Sequence, residues 1–171
     1  VAWPDWEVGD FLSADALNER QEIAVYKTAL EARTSTVTLA ADNELSVAVR
    51  VGFIYVMRAT INYSAAADNI DLRYGWSVPS GSSIWWSNAG LDVGVTVQSG
   101  SFNTHFNTSA APANRQVGAV DEGPTSVDFK GILTPGANGN LTFLWAQGTT
   151  SVSELRVRET SFIVLKPIRK F

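Results

Sequence analysis

The side chains able to do chemistry are few and scattered. The one histidine among 171 residues, His105, sits in the phrase SFNTHFN, and the chain has no cysteine. A serine or cysteine nucleophile needs a base within hydrogen-bond reach and a third group to orient that base, and nothing around His105 has that pattern. Thiolate and multi-histidine metal sites lack their ligands for the same reason. Carboxylates pair locally as Asp42 with Glu44, Asp68 with Asp71, and Asp121 with Glu122. Glycoside hydrolysis needs two carboxyl groups facing across a cleft, and these pairs fall in turn-like stretches beside Asn or Gly, where carboxylates are normally solvated. Asp68, Asn69 and Asp71 offer a cation some oxygen ligands but lack the spacing of a dedicated calcium loop. No glycine-rich phosphate loop joins a strand pattern to a helix pattern. The sequence thus assigns no catalytic, cofactor-binding or metal-ligating residue, and the expectation is a protein that is not an enzyme and needs no cofactor.

Tryptophan is the residue type that hints at binding. Of the six, Trp85 and Trp86 are adjacent in the Ser/Gly-rich phrase SGSSIWWSNAG, where an indole can stack on a sugar ring or anchor a protein contact. Adjacent strand residues point to opposite faces, so at most one of the two is expected in the core. Trp3 and Trp6 flank Pro4 near the start, an aromatic arm suited to packing on the domain beside it or to docking on a partner.

Bulk composition narrows the class further. Hydrophobic residues make up 45 % of the chain, enough for one well-cored domain with a short appendage. The net charge of -4 and the absence of a basic cluster argue against nucleic acid, whose phosphates call for grouped Lys and Arg. No apolar run is long enough to cross a membrane, and VAWPDWEVGD lacks a basic stretch followed by an apolar one. No membrane insertion and synthesis in a cytoplasm are therefore expected.

The elements that must position these residues are mostly strands. Ser13 as N-cap, Asp15 in the first turn, and a stripe of Ala16, Ile23, Tyr26 and Leu30 predict a helix over 14–33. That stripe either lies against a sheet or, through Ile23, Tyr26 and Leu30, meets copies of itself in a short trimeric bundle. From Thr34 the period is two. Strand patterns run through Val37–Ala41 and Leu45–Val49, separated by a polar turn at 42–44, then Phe53–Ser64, Leu72–Val78, Leu91–Val97, Val117–Val120 and Val127–Leu133. Residues 80–90 read as a loop and 99–116 as irregular. Gly139–Ile168 reads as a terminal hairpin closing the core. Its returning arm is apolar on both faces at Phe162, Ile163, Val164 and Leu165, which predicts either a bulge or burial against neighbouring subunits. The fold class expected is mainly β, a jelly-roll-like antiparallel β-sandwich preceded by one N-terminal α-helix. Residues 1–33 would attach and oligomerise, and 34–171 would form the sandwich.

The segment WEVGDFLSADALNE, through Trp6, Gly9, Leu12, Ser13, Ala14, Leu17 and Asn18, resembles the W-x-x-G-x-x-L-[ST]-A-x-x-LN opening of virion proteins of tailed bacteriophages. The strands around Val37–Val49, the segment Tyr55–Ser64 and the phrase GNLTFLWAQGTTS are similar to the β domain that follows this opening in phages of actinobacteria. The resemblance implies a non-enzymatic virion structural protein, usually multimeric. On that footing Trp3, Trp6, Gly9, Leu17 and Asn18 are the expected attachment residues, and Ile23, Tyr26, Leu30 and Phe162–Leu165 the expected oligomerisation residues of a homotrimer. Its partners would be itself and other virion proteins of tail or capsid. Trp85 and Trp86 remain candidate ligand residues for a host surface glycan. A minor tail protein, a capsid decoration protein and, from another class, a carbohydrate-binding module are the readings left open.

Overall fold

A computed structural model describes residues 21–67, 70–97, 100–107 and 115–170. Twelve strands form the described part: β1 (Ile23–Tyr26), β2 (Glu31–Arg33), β3 (Ala40–Val49), β4 (Phe53–Ala65), β5 (Leu72–Ser77), β6 (Ser83–Leu91), β7 (Phe102–Asn107), β8 (Arg115–Val117), β9 (Thr125–Thr134), β10 (Gly139–Gln147), β11 (Leu155–Val157) and β12 (Phe162–Lys170). They build two sheets. The larger has eight strands in the order β1-β12-β4-β9-β6-β7, with β11 joining β2 and β4, and the smaller has four in the order β3-β10-β5-β8. Every ladder between these strands is antiparallel.

The core lies between the sheets and follows from strict alternation. From the large sheet Tyr55, Met57, Ala59, Ile61 and Tyr63 of β4, Val127, Phe129 and Leu133 of β9, and Ile163 and Leu165 of β12 point inward. Leu45 and Val47, Tyr74 and Trp76, and Leu141, Phe143 and Trp145 face them from the small sheet. Phe129 is central, with its ring centroid 5.3 Å from Trp76, 5.2 Å from Tyr74 and 6.1 Å from Phe143, in edge-to-face contacts. Gly131, beside Phe129 on β9, is required by close approach. A Cβ there would stand 2.7 Å from the Trp85 carbonyl oxygen and 3.0 Å from the Trp86 Cβ.

The helix expected over 14–33 is absent from its described part, and residues 14–20 lie outside the described residues. Ile23–Tyr26 instead pairs residue by residue with the start of β12, Ile23 opposite Leu165 and Tyr26 opposite Phe162, while Glu31–Arg33 pairs with β11. Ile, Val and Tyr suit a strand as well as a helix, and an open sheet edge beside them decides the matter. Ile23–Tyr26 and Glu31–Arg33 are consequently strands of the large sheet.

Further expectations change. Residues 42–44 are not a turn between two strands but a bulge inside β3: Ser46 pairs with Thr142 and Ala41 with Leu144, leaving 42–45 against Phe143 alone. Residues 83–90, read as a loop, belong to β6, whose inward positions include Asn88 and Gly90, so the apolar period is broken at the sequence level. The stretch 92–97 that resembled a strand is turn and coil, and β7 occupies part of the irregular region. Finally, 139–168 is not a hairpin. β10 lies in the small sheet, between β3 and β5, while β11 and β12 both pair with β4 in the large one, so the chain crosses the core between them.

Candidate assembly surface and a buried lysine cluster

Parity along β12 assigns the four residues Phe162–Leu165 to two different environments. Its register shift comes later, between Pro167 and Arg169, so no bulge interrupts 162–166. Ile163 and Leu165 are fully buried in the subunit's own core, and Phe162 and Val164 lie half-buried on the outer face of the large sheet. Only the latter two are within reach of a neighbouring molecule. The apolar character of both faces is thus a property of the outer surface.

That surface can be read in rows, because residues paired across a sheet share a face. One row is Lys166, Val56, Ile132 and Trp85; the next is Val164, Arg58, Lys130 and Ser87; the third is Phe162, Thr60, Asp128 and Ala89, with Tyr26 beside Phe162 at the edge. A cationic row therefore runs between two that contain apolar side chains. The β12, β4 and β9 part forms an open groove of about 620 Å³ that reaches Glu22 and Ile168 at its margins. Across it the Thr60 hydroxyl donates to Asp128 Oδ1 at 2.6 Å. Trp85 is 63 % exposed on this face and Trp86 4 % exposed in the core, as strand parity requires. Ile23, Tyr26 and Leu30 are all exposed, but on strand and turn rather than along a helical stripe. Trp3, Trp6, Gly9, Leu17 and Asn18 lie outside the described residues.

Sequence reading missed the most polar place in the interior. Lys27 and Asp42 are each 3 % exposed. The Lys27 Nζ donates to Asp42 Oδ1 at 2.9 Å and to Glu31 Oε2 at 3.1 Å, and lies 3.7 Å from Glu44 Oε2. The β3 bulge turns Asp42 inward, so that its Oδ1 also accepts from the backbone N–H groups of Glu44 and Leu45, both at 3.0 Å, and its Oδ2 accepts from Trp145 Nε1 at 3.0 Å. Arg33 stands 4.0 Å above the Trp145 ring, pairs with Glu31, and donates to the carbonyls of Ala40, Ala41 and Trp145. Burial alone would raise the Glu31 carboxyl, but hydrogen bonds from the Asn43 N–H, Arg33 and Lys27 outweigh it and hold the group below its ordinary value. Lys27 is fixed at the backbone too: its N–H donates to the Ser161 carbonyl at 2.8 Å, and its carbonyl accepts from Thr160 at 3.1 Å. The cluster therefore ties the segment entering β2 to both sheets. Glu44 does behave as a surface carboxylate, accepting from the N–H groups of Thr28 and Ala29.

Asp71, expected beside Asp68 as a weak cation ligand, is buried; burial pushes its carboxyl up, against a hydrogen bond from the Gly94 N–H at 3.0 Å. Asp68 lies outside the described residues. Among the described residues no group of three or more His, Cys, Asp and Glu side chains is arranged to hold a metal ion.

No family model matches the chain, and no curated protein matches it. Among solved structures it is similar to virus capsid chains. For the VP2 subviral particle of infectious bursal disease virus the identity is 8 %, over 88 % of this chain and 41 % of that one, with a TM-score of 0.23. For the Gt strain of the same virus the identity is 10 %, over 86 % and 42 %, with a TM-score of 0.26. The chain thus spans about two fifths of the length of those chains. Likeness that weak specifies neither fold nor role.

Proposed function

We propose that this chain is a non-enzymatic structural protein of a tailed-phage virion, a minor tail or tail-tip component that assembles as a trimer. Its copies would meet at the outer face of the large sheet, and the arm bearing Trp3, Trp6, Gly9, Leu17 and Asn18 would attach to the particle or to a sister subunit. The observation that carries the assembly reading is that outer face, where Phe162, Val164, Val56, Ile132 and Trp85 surround the cations Arg58 and Lys130. Apolar side chains held on a solvent-facing sheet beside cations are what an interaction site offers a partner. Charge supports the arm as a neighbour: Asp5, Glu7, Asp10, Asp15 and Glu19 outnumber Arg20 in it, which complements the cationic row. The virion setting rests on the resemblance of Trp6–Asn18 to phage openings.

The test removes residues 1–20 and leaves β1 and β2 in place, since taking all of 1–33 would strip two strands and Lys27 from the sheet. The truncated chain should fold and fail to enter particles; normal incorporation would contradict the attachment role. Copy number per particle separates a tail-tip protein, present in few copies, from a capsid decoration protein, present in many.

Exposed Trp85 favours a second reading, a carbohydrate-binding module with a host surface glycan as ligand. A glycan array should then show binding that Trp85→Ala removes. Absence of binding, or indifference to that change, would end it.

A further inference from the structure

Lys27 is a buried lysine whose amine nitrogen touches a buried aspartate, with a second carboxylate on the same nitrogen. The Lys27 and Asp42 side chains are 1 % and 0 % exposed, with Nζ 2.9 Å from Asp42 Oδ1, and Glu31 Oε2 lies 3.1 Å from Nζ. Holding an amine against a carboxyl group in a dry, rigid site supplies the proximity that amide formation in water lacks.

We propose that Lys27 and Asp42 condense into an intramolecular amide, with Glu31 as the proton carrier. A proton passes from the Lys27 ammonium to Asp42, leaving a neutral amine and a carboxylic acid. The nitrogen lone pair attacks Asp42 Cγ, an N–C bond forms, and the carbonyl electrons move onto Oδ1. There the N–H groups of Glu44 and Leu45, already 3.0 Å from Oδ1, stabilise the developing oxyanion. Glu31, kept ionised by Arg33 and the Asn43 N–H, takes a proton from the nitrogen and returns it to the departing Oδ2 hydroxyl. The Cγ–Oδ2 bond breaks and one water leaves, with Glu31 restored and no outside reagent consumed. The β3 bulge gains a reason, since it aims Asp42 inward and supplies both oxyanion donors. The product would fasten the β1–β2 connection to β3, one sheet to the other. This chemistry does not depend on the proposed virion role.

Intact-mass spectrometry of the purified full chain, denatured before measurement, tests the proposal. The expected mass is one water below that of the sequence. Trypsin should yield a branched peptide joining 21–33, uncut at Lys27, to 34–50. Lys27→Arg should show the full mass of its own sequence, and Glu31→Gln should lose most of the cross-link while keeping the fold. A wild-type chain at full sequence mass overturns the proposal. So does a loss of water without the branched peptide, which would mark cyclisation of Asp42 onto its own backbone. Cross-linking at the wild-type rate in Glu31→Gln would overturn the role given to Glu31.

Discussion

On the outside of the small sheet Ser46 and Thr142 share a hydrogen bond at 2.8 Å, and Ser77 lies directly across from Thr142 on the next strand. On the outside of the large sheet the corresponding places are taken by Phe162, Val164, Val56, Ile132 and the exposed indole of Trp85. Both sheets bury apolar inner faces in one shared core, so core formation does not explain the difference. A sheet face that merely meets water is expected to be polar, as the Ser46, Thr142 and Ser77 row is; on that face Leu144, between Ala41 and Gly75, is the large apolar side chain of the neighbouring row. The larger sheet keeps apolar side chains where its own fold gains little from them, which is the observation behind the proposed assembly surface.

Neighbouring residues of β12 offer the sharpest way to break this comparison. Ile163→Asp puts an unpaired carboxylate into the core and should destabilise the protein by more than about 4 kcal/mol, enough to leave little folded chain by circular dichroism. Val164→Asp makes the same chemical change one residue away and should leave the fold intact, because Arg58 lies across from it as a partner. Equal loss of structure in both variants would mean that the outer face is part of the core. Next in size is Phe129→Ala, which removes the ring joining Trp76, Tyr74 and Phe143; chemical denaturation should show a loss of about 3–5 kcal/mol.

The smallest expected effects concern pH and set the Glu31 carboxyl against that of Asp71. The Glu31 carboxyl is lowered in the folded state, so its contribution is complete above the ordinary value of 4.5 and fades as pH falls through and below it. The Asp71 carboxyl is raised by burial, so it has the opposite sign, favouring the fold only when protonated and opposing it once ionised. Thermal unfolding of Asp71→Asn should accordingly show a gain near neutral pH that disappears in acid. A gain of equal size at both would contradict that assignment.

The parts of the fold legible in the sequence are the long, regularly alternating ones. β4 from Phe53, β5 from Leu72 and β10 from Leu141 stand where period two places them, and the split of Trp85 outward and Trp86 inward follows from parity alone. β6 was hidden because Asn88 and Gly90 hold inward positions that would ordinarily be apolar. The expected helix failed because Ile23, Tyr26 and Leu30 satisfy a helical spacing by coincidence, while the free edge of β12 supplied a stronger partner. The lysine cluster had no sequence signal at all: Lys27 and Asp42 are separated by fifteen residues, and only the bulge, itself a matter of pairing with β10, turns Asp42 inward.

Molar mass by light scattering on three proteins, the wild type, Val164→Asp and Ser77→Asp, most directly tests the claim that the large sheet's outer face is the assembly surface. The account predicts a multimeric wild type, a folded monomer for Val164→Asp, and an unchanged multimer for Ser77→Asp on the small sheet. A wild-type chain that stays monomeric at high concentration, or a multimer lost in Ser77→Asp and kept in Val164→Asp, would contradict it.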